Sequence, residues 1–462
     1  MTDYFQEVDR ERMLAEYPIG QAFLDGPAKL SPDELHGLQN RRFLAVVARA
    51  WQVPFYRRRW RAAGLEPGDI RGLRDIGRIP PYSKSDLMAS VEAYPPWGDY
   101  HGVDLGAGAL RPSLVFHTTS GTTGTPQPLF YGAWDRELQN LMLARAYRLQ
   151  GMRDDDVVHS VYGFGTVNGG HYIRETIVHF TKCLLLTAGT GLETRSEQQV
   201  ELMRHFGATV LVGFVDYIKR LAEVARERGL VPGRDIPLRM ISGHIGKENR
   251  EAIRAMWGGA NIFDWYGVGD TGTICAEGPA RDGHYVFEDA HYLEILSPET
   301  GQPVPEGEPG NMCVTVLFKT GVYPIVRFNT NDVSAFLPRD AGDPIRFRRV
   351  LGFQGRSDNM VKLRGINVYP TAIGGILSEH AAAAGEYICR VERHGAREEM
   401  AVVVEIRADQ PRDAAVQGAL RELLRRKLGV EVAVELVGVG ETASLTQIEQ
   451  RQKPIRLIDR RE

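Results

Sequence analysis

Apolar residues in the middle of the chain are distributed as short strands that alternate with helices. Four apolar runs of five to seven residues are typical of strands, and the segments between them carry apolar residues at helical spacing. In order, these strands and helices are predicted at residues 182–187, 196–206, 208–214, 217–228, 238–242, 247–257 and 261–266. Strands that alternate with helices indicate right-handed βαβ crossovers and a parallel sheet, and we expect the first run, 182–187, to be a buried strand.

A helix start signal precedes this region at Ser31-Pro32-Asp33-Glu34. Ser31 can cap a helix, proline suits the first helical position, and Glu34 can complete a capping box. The sequence therefore predicts a helix that runs from this signal to Trp51.

The pattern changes twice towards the C-terminus. Residues 283–337 carry short alternating runs between Gly/Pro turns, which favour antiparallel strands. The last ~100 residues predict a small α+β domain, because one helix at 414–428 ends at Gly429 among three strands. These strands are predicted at residues 387–391, 400–406 and 430–436. We therefore predict an α/β fold with a large N-terminal domain, 1–357, of doubly wound parallel sheets plus a β subdomain, and a small α+β domain, 358–462.

Composition and charge narrow the class of protein. The 462 residues are 43% apolar and 25% charged, as in ordinary soluble globular proteins. A net charge of -3 gives no broad electrostatic footprint for nucleic acid or an acidic membrane, and no apolar run is long enough to suggest a membrane span. Four scattered cysteines do not suggest a disulfide framework. We expect a cytoplasmic protein with reduced thiols.

The segment His117-Thr118-Thr119-Ser120-Gly121-Thr122-Thr123-Gly124-Thr125-Pro126 combines hydroxyls with glycines after an apolar run. Glycine lets backbone N–H groups approach a ligand, and hydroxyls add donors, so the segment could cradle phosphates. It is not a Walker loop, because no Gly-Lys-Ser/Thr follows. On composition alone, a plain polar turn remains the alternative.

The segment Gly267-Val268-Gly269-Asp270-Thr271-Gly272 fits the Gly-x-Gly-x-x-Gly pattern of dinucleotide-binding folds. That pattern requires a helix directly after the glycines, whereas Gly278-Pro279 interrupts the chain within a turn or two. We therefore disfavour a nicotinamide site here.

The segment 355–365, Gly-Arg-Ser-Asp-Asn-Met-Val-Lys-Leu-Arg-Gly, lies at the proposed domain boundary. It reads either as a solvated linker or as a hinge that carries ligand contacts.

Zinc is not expected. Cys275, His284 and Cys313 could meet in space, but their spacing does not require it.

Three segments, in this order along the chain, resemble the adenylate-forming superfamily of acyl-CoA ligases, luciferases and peptide-synthetase adenylation domains. They are the loop at 119–126, Tyr266-Gly267 with an acid at 270, and the segment 355–365. Within the superfamily the chain is most similar to phenylacetate–CoA ligases. That similarity extends from about Trp51 to the C-terminus and is carried by Pro54-Phe55-Tyr56, Ile79-Pro80, Lys84-Ser85-Asp86-Leu87, Arg364-Gly365-Ile366-Asn367-Val368-Tyr369-Pro370 and Lys453 to Asp459.

The resemblance implies ATP-dependent activation of a carboxylic acid as acyl-AMP with Mg²⁺, followed by transfer, usually to CoA. It implies that Lys453 neutralises charge during adenylation, that Asp270 binds Mg²⁺, and that Asp358 is the pivot of a mobile C-terminal domain. An exposed lysine of the C-terminal tail is the alternative for Lys453. Tyr266 would stack on adenine, Asp264 would lie near its amine, and Asp332 and Arg356 would reach the ribose; a turn residue is the alternative for Asp332. The full implied ATP/AMP set is Thr119, Ser120, Gly121, Thr122, Thr123, Gly124, Gly243, His244, Ile245, Asp264, Trp265, Tyr266, Gly267, Asp332 and Arg356.

The implied acid pocket combines aromatic residues with glycines, which suits a flat ring better than a flexible chain. Its histidines suggest a polar substituent on that ring. The acid-pocket residues are Tyr162, Phe164, Gly165, Gly170, His171, Phe214, His244 and Gly269, and the implied CoA contacts are Lys362, Arg364 and Gly365.

The chain departs from the family pattern at Gly269-Asp270, where Thr or Ser followed by Glu is usual, and at Asn329, where an arginine is usual. These departures leave two classes open: an aryl-CoA ligase, and an adenylating enzyme whose acceptor is an amine, a hydroxyl, a carrier-protein thiol or nitrite. The oligomeric state, including a homodimer, also stays open.

Overall fold

The computed structural model describes residues 3–108, 111–119, 126–340, 342–363, 366–394, 397–447 and 454–461. Their helices are α1 Arg10–Glu16, α2 Gln21–Asp25, α3 Pro32–Gln52, α4 Pro54–Ala62, α5 Lys84–Ala93, α6 Ala133–Leu149, α7 Gly169–Phe180, α8 Ser196–His205, α9 Val215–Glu227, α10 Arg250–Met256, α11 Ile373–Leu377, α12 Ala414–Leu428 and α13 Ala443–Thr446. None of the helices in these ranges is long and apolar enough to cross a membrane.

The strands, in chain order, are β1 Leu114–Thr118, β2 Pro128–Gly132, β3 Val157–Ser160, β4 Leu184–Thr187, β5 Val210–Phe214, β6 Met240–His244, β7 Asn261–Val268, β8 Gly272–Glu277, β9 His284–Val286, β10 His291–Leu296, β11 Gly310–Val316, β12 Phe328–Ser334, β13 Arg349–Val350, β14 Gly355–Arg356, β15 Val361–Leu363, β16 Ile366–Val368, β17 Ala383–His394, β18 Arg397–Ile406, β19 Ala433–Gly438 and β20 Leu457–Arg460. The alternation of strands and helices confirms the predicted α/β class.

The first of two compact units comprises Met1–Thr187 and Phe263–Gly352. In it β3 and β4 run parallel, whereas β7, β8, β9 and β13 are antiparallel neighbours. The antiparallel strands β10, β11 and β12 confirm the β subdomain predicted over 283–337.

Helix α6 is buried along almost its whole length, although its sequence is rich in polar residues. Its charged side chains form hydrogen bonds and ion pairs inside the unit. Arg136 Nη1 donates to Asn168 Oδ1 at 2.6 Å, and Arg145 Nη1 lies 2.7 Å from Asp289 Oδ1. Buried charges of this kind are tolerated only when they are paired. Helix α6 packs against α7 and β8, so it fixes both elements that flank the candidate site.

Strand β4 corrects one expectation. The run 182–187 does form a strand, but Leu184 is 57% exposed and both ends of β4 are open to solvent. Among the described strands, β4 is at the edge of its sheet and pairs with β3 alone. An apolar run alone does not distinguish an edge strand from a central one, because both satisfy strand propensity.

The second unit comprises Ala188–Ile262 and Phe353–Glu462. Strands β5 and β6 run parallel in it, and β18 pairs antiparallel with β17 and parallel with β19. Residues of 361–434 form a core of their own, as a small α+β domain requires. The predicted domain boundary between residues 357 and 358 falls within this unit and stays a prediction.

Helix α3 begins as predicted. Ser31 Oγ accepts from the Glu34 N–H at 3.3 Å, and the Ser31 N–H donates to Glu34 Oε2 at 2.9 Å, which completes the capping box. Two N–H groups without intrahelical partners are thereby satisfied.

Replacing Ser31 with alanine should therefore destabilise the protein by about 1 kcal/mol, because the cap acceptor is lost. The free energy of unfolding in urea, measured on the wild type and Ser31→Ala, checks this value. Ser31→Thr keeps an acceptor and should retain most of the stability. Equal loss in both variants would contradict the capping role.

Candidate active site

Residues 267–272 form a β-hairpin turn between β7 and β8. Val268 pairs with Gly272, and the Thr271 N–H donates to the Val268 carbonyl oxygen at 3.1 Å. A strand follows the glycines where a dinucleotide fingerprint requires a helix. The segment therefore lacks the strand–loop–helix geometry of that fingerprint. At Gly267 a Cβ would collide with the carbonyl oxygen of Gly272, so the turn requires glycine there.

Asp270 lies buried at the tip of this hairpin and is held through one carboxylate oxygen. Its Oδ1 accepts from Gln127 Nε2 at 2.7 Å and from the Tyr323 hydroxyl at 2.8 Å. Its backbone oxygen accepts from Gln139 Nε2 at 3.0 Å and from Lys319 Nζ at 3.3 Å. Among the described residues no side chain donates to Oδ2, which leaves that oxygen available to a ligand.

The preceding residue is fixed in the same way. The Tyr131 hydroxyl donates to the Gly269 carbonyl oxygen at 2.7 Å. The Lys319 ammonium lies 5.3 Å from the centre of the Tyr131 ring and 4.5 Å from that of Tyr323, within cation–π distance of both. One buried lysine thus packs on the two tyrosines that hold the turn.

Burial shifts the titration of the charged groups around Lys319. Desolvation lowers the pKa of Lys319 to about 8, although Asp135 and Asp270 oppose this shift. Burial also raises the pKa of Asp135 to about 6, against Lys319 and the Val322 N–H, which donates to its Oδ2 at 2.8 Å. At neutral pH the lysine is therefore still mainly protonated.

Sequence reasoning missed the residues that hold Asp270. Tyr131, Gln139, Lys319 and Tyr323 come from β2, α6 and the segment after β11, and their sequence neighbourhoods carry no local motif. Gln127 directly follows the Thr-Pro end of the Ser/Thr/Gly segment, which is the one signal that could have pointed to it.

The Ser/Thr/Gly loop is closed at its base. The Gln127 N–H donates to Thr119 Oγ1 at 3.2 Å, and the Thr119 N–H donates to the Gln127 carbonyl oxygen at 3.2 Å. Since Gln127 also donates to Asp270, the base of this loop is joined to the hairpin turn. Ser120, Gly121, Thr122, Thr123 and Gly124 lie outside the described residues.

The donor set around Asp270 fits a magnesium ion that is shared with phosphate. Within the described ranges, no three or more His, Cys, Asp and Glu side chains gather to hold a metal ion. Mg²⁺ commonly takes one or two carboxylates and completes its octahedron with substrate phosphates and water. A single fixed carboxylate with an available Oδ2 meets that requirement.

Tyr266 and Asp332 are brought together by β7 and β12. The Tyr266 hydroxyl donates to Asp332 Oδ2 at 2.7 Å and lies 3.3 Å from Thr330 Oγ1. Burial and the neighbouring carboxylate raise the pKa of Tyr266 well above its usual value, so the hydroxyl stays a donor. Asp332 is a buried strand residue, which makes its alternative interpretation as a turn residue wrong.

Asp264 and Trp265 also lie on β7 and are buried. The Asp264 N–H donates to Glu277 Oε2 at 2.7 Å, and His284 Nε2 lies 3.4 Å from Asp264 Oδ2. The Trp265 ring packs edge-to-face against Tyr172, with 6.4 Å between the ring centres. The carboxylate of Asp264 therefore has the His284 imidazole as a close neighbour.

Four predicted acid-pocket residues lie on or beside the start of α7. The Phe164 ring meets His171 edge-on with 5.3 Å between the ring centres, and His171 Nε2 donates to the Gly165 carbonyl oxygen at 2.9 Å. A Cβ on Gly170 would lie 2.6 Å from the Gly163 carbonyl oxygen, so glycine permits this close approach. Tyr162 is buried just before this segment.

His117 on β1 packs beside this group, with its ring centre 5.1 Å from that of His171. Burial lowers the pKa of His117 to about 4, so the ring is neutral at pH 7. Its Nδ1 donates to the Thr166 carbonyl oxygen at 3.2 Å.

In the second unit, Phe214 and His244 end the parallel strands β5 and β6 as register partners, and their ring centres are 4.8 Å apart. Gly243 pairs with Gly213, and a Cβ on Gly243 would collide with the Gly213 carbonyl oxygen. Ile245 is buried next to them.

Two of the four charged residues of the segment 355–365, Arg356 and Asp358, are paired with each other. Arg356 Nε donates to Asp358 Oδ1 at 2.7 Å, and both side chains are partly exposed. Lys362 lies on β15. Arg364, Gly365 and Lys453 lie outside the described residues.

Comparisons with known proteins identify the family of the chain. Residues 111–316 match the AMP-binding enzyme family, and residues 365–461 match the AMP-binding enzyme C-terminal domain. Phenylacetate-coenzyme A ligase of Aromatoleum evansii is 30% identical over 94% of this chain and 96% of that enzyme. The Thermus thermophilus phenylacetate-coenzyme A ligase is 31% identical over 89% and 94%.

A solved structure of 2-hydroxyisobutyryl-CoA ligase, in the postadenylation state with an acyl-AMP, matches with a TM-score of 0.80 at 25% identity. The match covers 93% of this chain and 89% of that ligase. Two family matches in the expected order and relatives that span nearly the whole chain leave one assignment: the chain belongs to the adenylate-forming AMP-binding enzymes, together with the phenylacetate–coenzyme A ligases.

Proposed function

We propose that this protein activates an aromatic carboxylic acid with ATP to form an acyl-AMP, and then transfers the acyl group to CoA and releases AMP. The observation that carries the proposal is the Asp270 turn, whose carboxylate is fixed through Oδ1 and joined by Gln127 to the base of the Ser/Thr/Gly loop. Such a turn can hold a cation against phosphates that the loop binds.

Adenylation brings two anions together. The acid's carboxylate attacks the α-phosphorus, the bond to the bridging oxygen breaks, and pyrophosphate leaves. Preorganised donors and cations are needed where the charge develops. Mg²⁺, when bound, would neutralise phosphate charge beside Asp270, and we assign Lys453 to the carboxylate and α-phosphate oxygens.

The nucleoside is assigned to β7 and β12. Tyr266 offers a ring for adenine, Asp264 an acceptor for its amine, and Asp332 an acceptor for the ribose hydroxyls. The hydrogen bond from Tyr266 to Asp332 supports this assignment, because it fixes the ring and the carboxylate relative to one another. Arg356 is proposed as a further ribose contact, and the Gly243-His244-Ile245 strand end as part of the adenine site.

The acid is assigned to the residues around the start of α7. Phe164 and His171 meet edge-on, and Gly165 and Gly170 leave room beside them. Such a combination accommodates a planar ring by stacking and edge contacts. Tyr162, Phe214, His244 and Gly269 are proposed to complete the pocket.

CoA is proposed as the acceptor, since the matched relatives are named as coenzyme A ligases. Lys362, Arg364 and Gly365 are proposed to contact it. An amine, a hydroxyl, a carrier thiol or nitrite would use the same acyl-AMP, so the first half-reaction does not distinguish them.

The deciding experiment measures ATP–pyrophosphate exchange over a panel of aryl and aliphatic carboxylic acids, followed by mass spectrometry of the products with and without CoA. We expect exchange with aryl acids and an acyl-CoA thioester only when CoA is present. Absence of exchange with every acid would overturn the proposal, and exchange without a CoA thioester would overturn the acceptor.

Lys453→Ala should lower the exchange rate by roughly 10²–10³-fold, because charge that develops in the transition state is no longer neutralised. Thioester formation from a supplied acyl-adenylate should be nearly unchanged. The exposed Lys182, changed to alanine, is the matched control and should leave both rates intact. Equal losses in the two half-reactions would contradict the role of Lys453.

Asp270→Asn keeps the size of the side chain and removes its charge, so it should raise the magnesium concentration needed for half-maximal exchange and slow the step. Asp270→Glu should retain substantial activity. Magnesium titrations of the wild type and both variants measure the effect. If Asp270→Asn changes neither the midpoint nor the rate, the carboxylate is not a metal ligand.

Asp358→Pro would fix φ of residue 358 at about -65° and restrict the backbone conformation of Ser357. If Asp358 is the pivot of the C-terminal domain, adenylation should survive and transfer to CoA should fail. Separate assays of pyrophosphate exchange and thioester formation check this. Full turnover by the variant would place the hinge elsewhere.

A further inference from the structure

Arg456 is a buried arginine shared by two carboxylates of the second unit. Its Nη1 donates to Glu386 Oε2 at 2.8 Å and to the Tyr387 carbonyl oxygen at 2.9 Å. Its Nη2 donates to Glu386 Oε1 at 3.0 Å and to Asp216 Oδ1 at 3.2 Å. The guanidinium also lies 4.5 Å from the centre of the Tyr387 ring.

The contact joins segments that are far apart in the sequence. Asp216 is the second residue of α9, which precedes the predicted hinge at 358, whereas Glu386 and Arg456 follow it. Burial opposes ionisation of Asp216, yet Lys219 and Arg456 outweigh it and hold the pKa of Asp216 below its usual range. Burial raises the pKa of Glu386 in spite of the arginine. The Asp216–Arg456 pair is thus charged, and removing one partner leaves the other buried.

A second contact, between α11 and the segment before α10, depends on two glycines. A Cβ on Gly375 of α11 would collide with the Lys247 carbonyl oxygen, and one on Gly374 would lie 3.0 Å from Glu248 Oε1. Glu248 in turn accepts from Lys219 Nζ at 3.2 Å, and Lys219 lies 3.5 Å from Asp216. Two glycines therefore let α11 approach the segment that leads into α10.

Arg456 follows Lys453 by three residues. The Ile455 N–H donates to the Thr446 carbonyl oxygen at 2.8 Å, and the Cys389 N–H donates to the Arg456 carbonyl oxygen at 3.0 Å. The described residues on either side of 448–453 are thus held to each other and to β17. The side chain of Arg456 connects these residues to α9 through Asp216.

We propose that Arg456 is a positioning residue for adenylation, which anchors the residues next to the Lys453 segment to α9 through Asp216. Gly375 allows α11 to approach Lys247 in the same arrangement. The inference rests on the proposed function, in which Lys453 serves the first half-reaction. The rotation about residue 358 that we propose would separate Asp216 and Lys247 from Arg456 and Gly375, so the contact would form in one of the two half-reactions. Because Arg456 follows Lys453 by three residues in the sequence, we assign the contact to adenylation.

The test compares Asp216→Asn and Gly375→Ala, which disturb the contact from opposite sides and by unrelated means. The first removes the charge that faces Arg456, and the second places a methyl group against the Lys247 carbonyl. Gly418→Ala in α12 is the matched control, since a Cβ there meets open space. Circular dichroism and thermal unfolding establish that each variant is folded.

Both variants should lower kcat for pyrophosphate exchange by about 10- to 100-fold, as expected for a misplaced catalytic group. KM for ATP should stay within about twofold, because Arg456 is not among the residues that we assign to the nucleotide. A loss in kcat without a change in KM is not expected of general destabilisation. Thioester formation from a supplied acyl-adenylate should be unchanged or faster. The double variant Asp216→Asn/Arg456→Gln should be no worse than Arg456→Gln alone.

Equal loss in both half-reactions, or unchanged exchange in both variants, would overturn the positioning role. Loss in Asp216→Asn together with normal exchange in Gly375→Ala would overturn the part assigned to α11. If the wild type catalyses no pyrophosphate exchange with any of the acids tested, the proposed function itself has failed. The failure of the positioning role and the failure of the proposed function are therefore distinguishable.

Discussion

The structure of the first unit depends on satisfying the polar groups of one buried turn. Asp270 is buried at the tip of a hairpin and Gly269 is half-buried beside it, and a buried polar group left unpaired costs about 1–3 kcal/mol. Five side chains meet this demand: Gln127, Tyr131, Gln139, Lys319 and Tyr323. Because they come from separate elements, the turn holds its geometry only when β2, α6 and the segment after β11 are all in place.

This constraint explains why α6 is buried and polar at once. Gln139 of α6 reaches the carbonyl oxygen of Asp270, and Arg136 and Arg145 of the same helix are paired inside the unit. A fully apolar helix would remove Gln139 from the Asp270 carbonyl oxygen and Arg145 from the Asp289 carboxylate, which would leave a buried charge without its partner. Stability and site geometry are therefore coupled through one helix.

The sequence predicted correctly those elements whose bounds are set by residues within or next to the element itself. Helix α12 has the predicted bounds because Asp413 caps it and Gly429 ends it with φ 73°. The exposure of β4 was not predictable, since it depends on which strands flank it. Tyr266, Asp332 and Asp270 could be predicted from motifs, whereas Lys319 and Tyr323 could not, because their role arises from contacts about 50 residues away in sequence.

The same geometry argues against Lys319 as the lysine that would neutralise charge in the proposed adenylation. Lys319 is the buried lysine beside Asp270, but its ammonium is already engaged by the Asp270 carbonyl oxygen and by two aromatic rings. A lysine held in this way stabilises the turn and is not free to follow charge as it moves onto the phosphate. Charge that appears only in the transition state is best met by a group that arrives with the substrate-bound state. Lys453, which we propose for this role, belongs to a separate segment of the chain, so it could meet that need without disturbing the donors that fix Asp270.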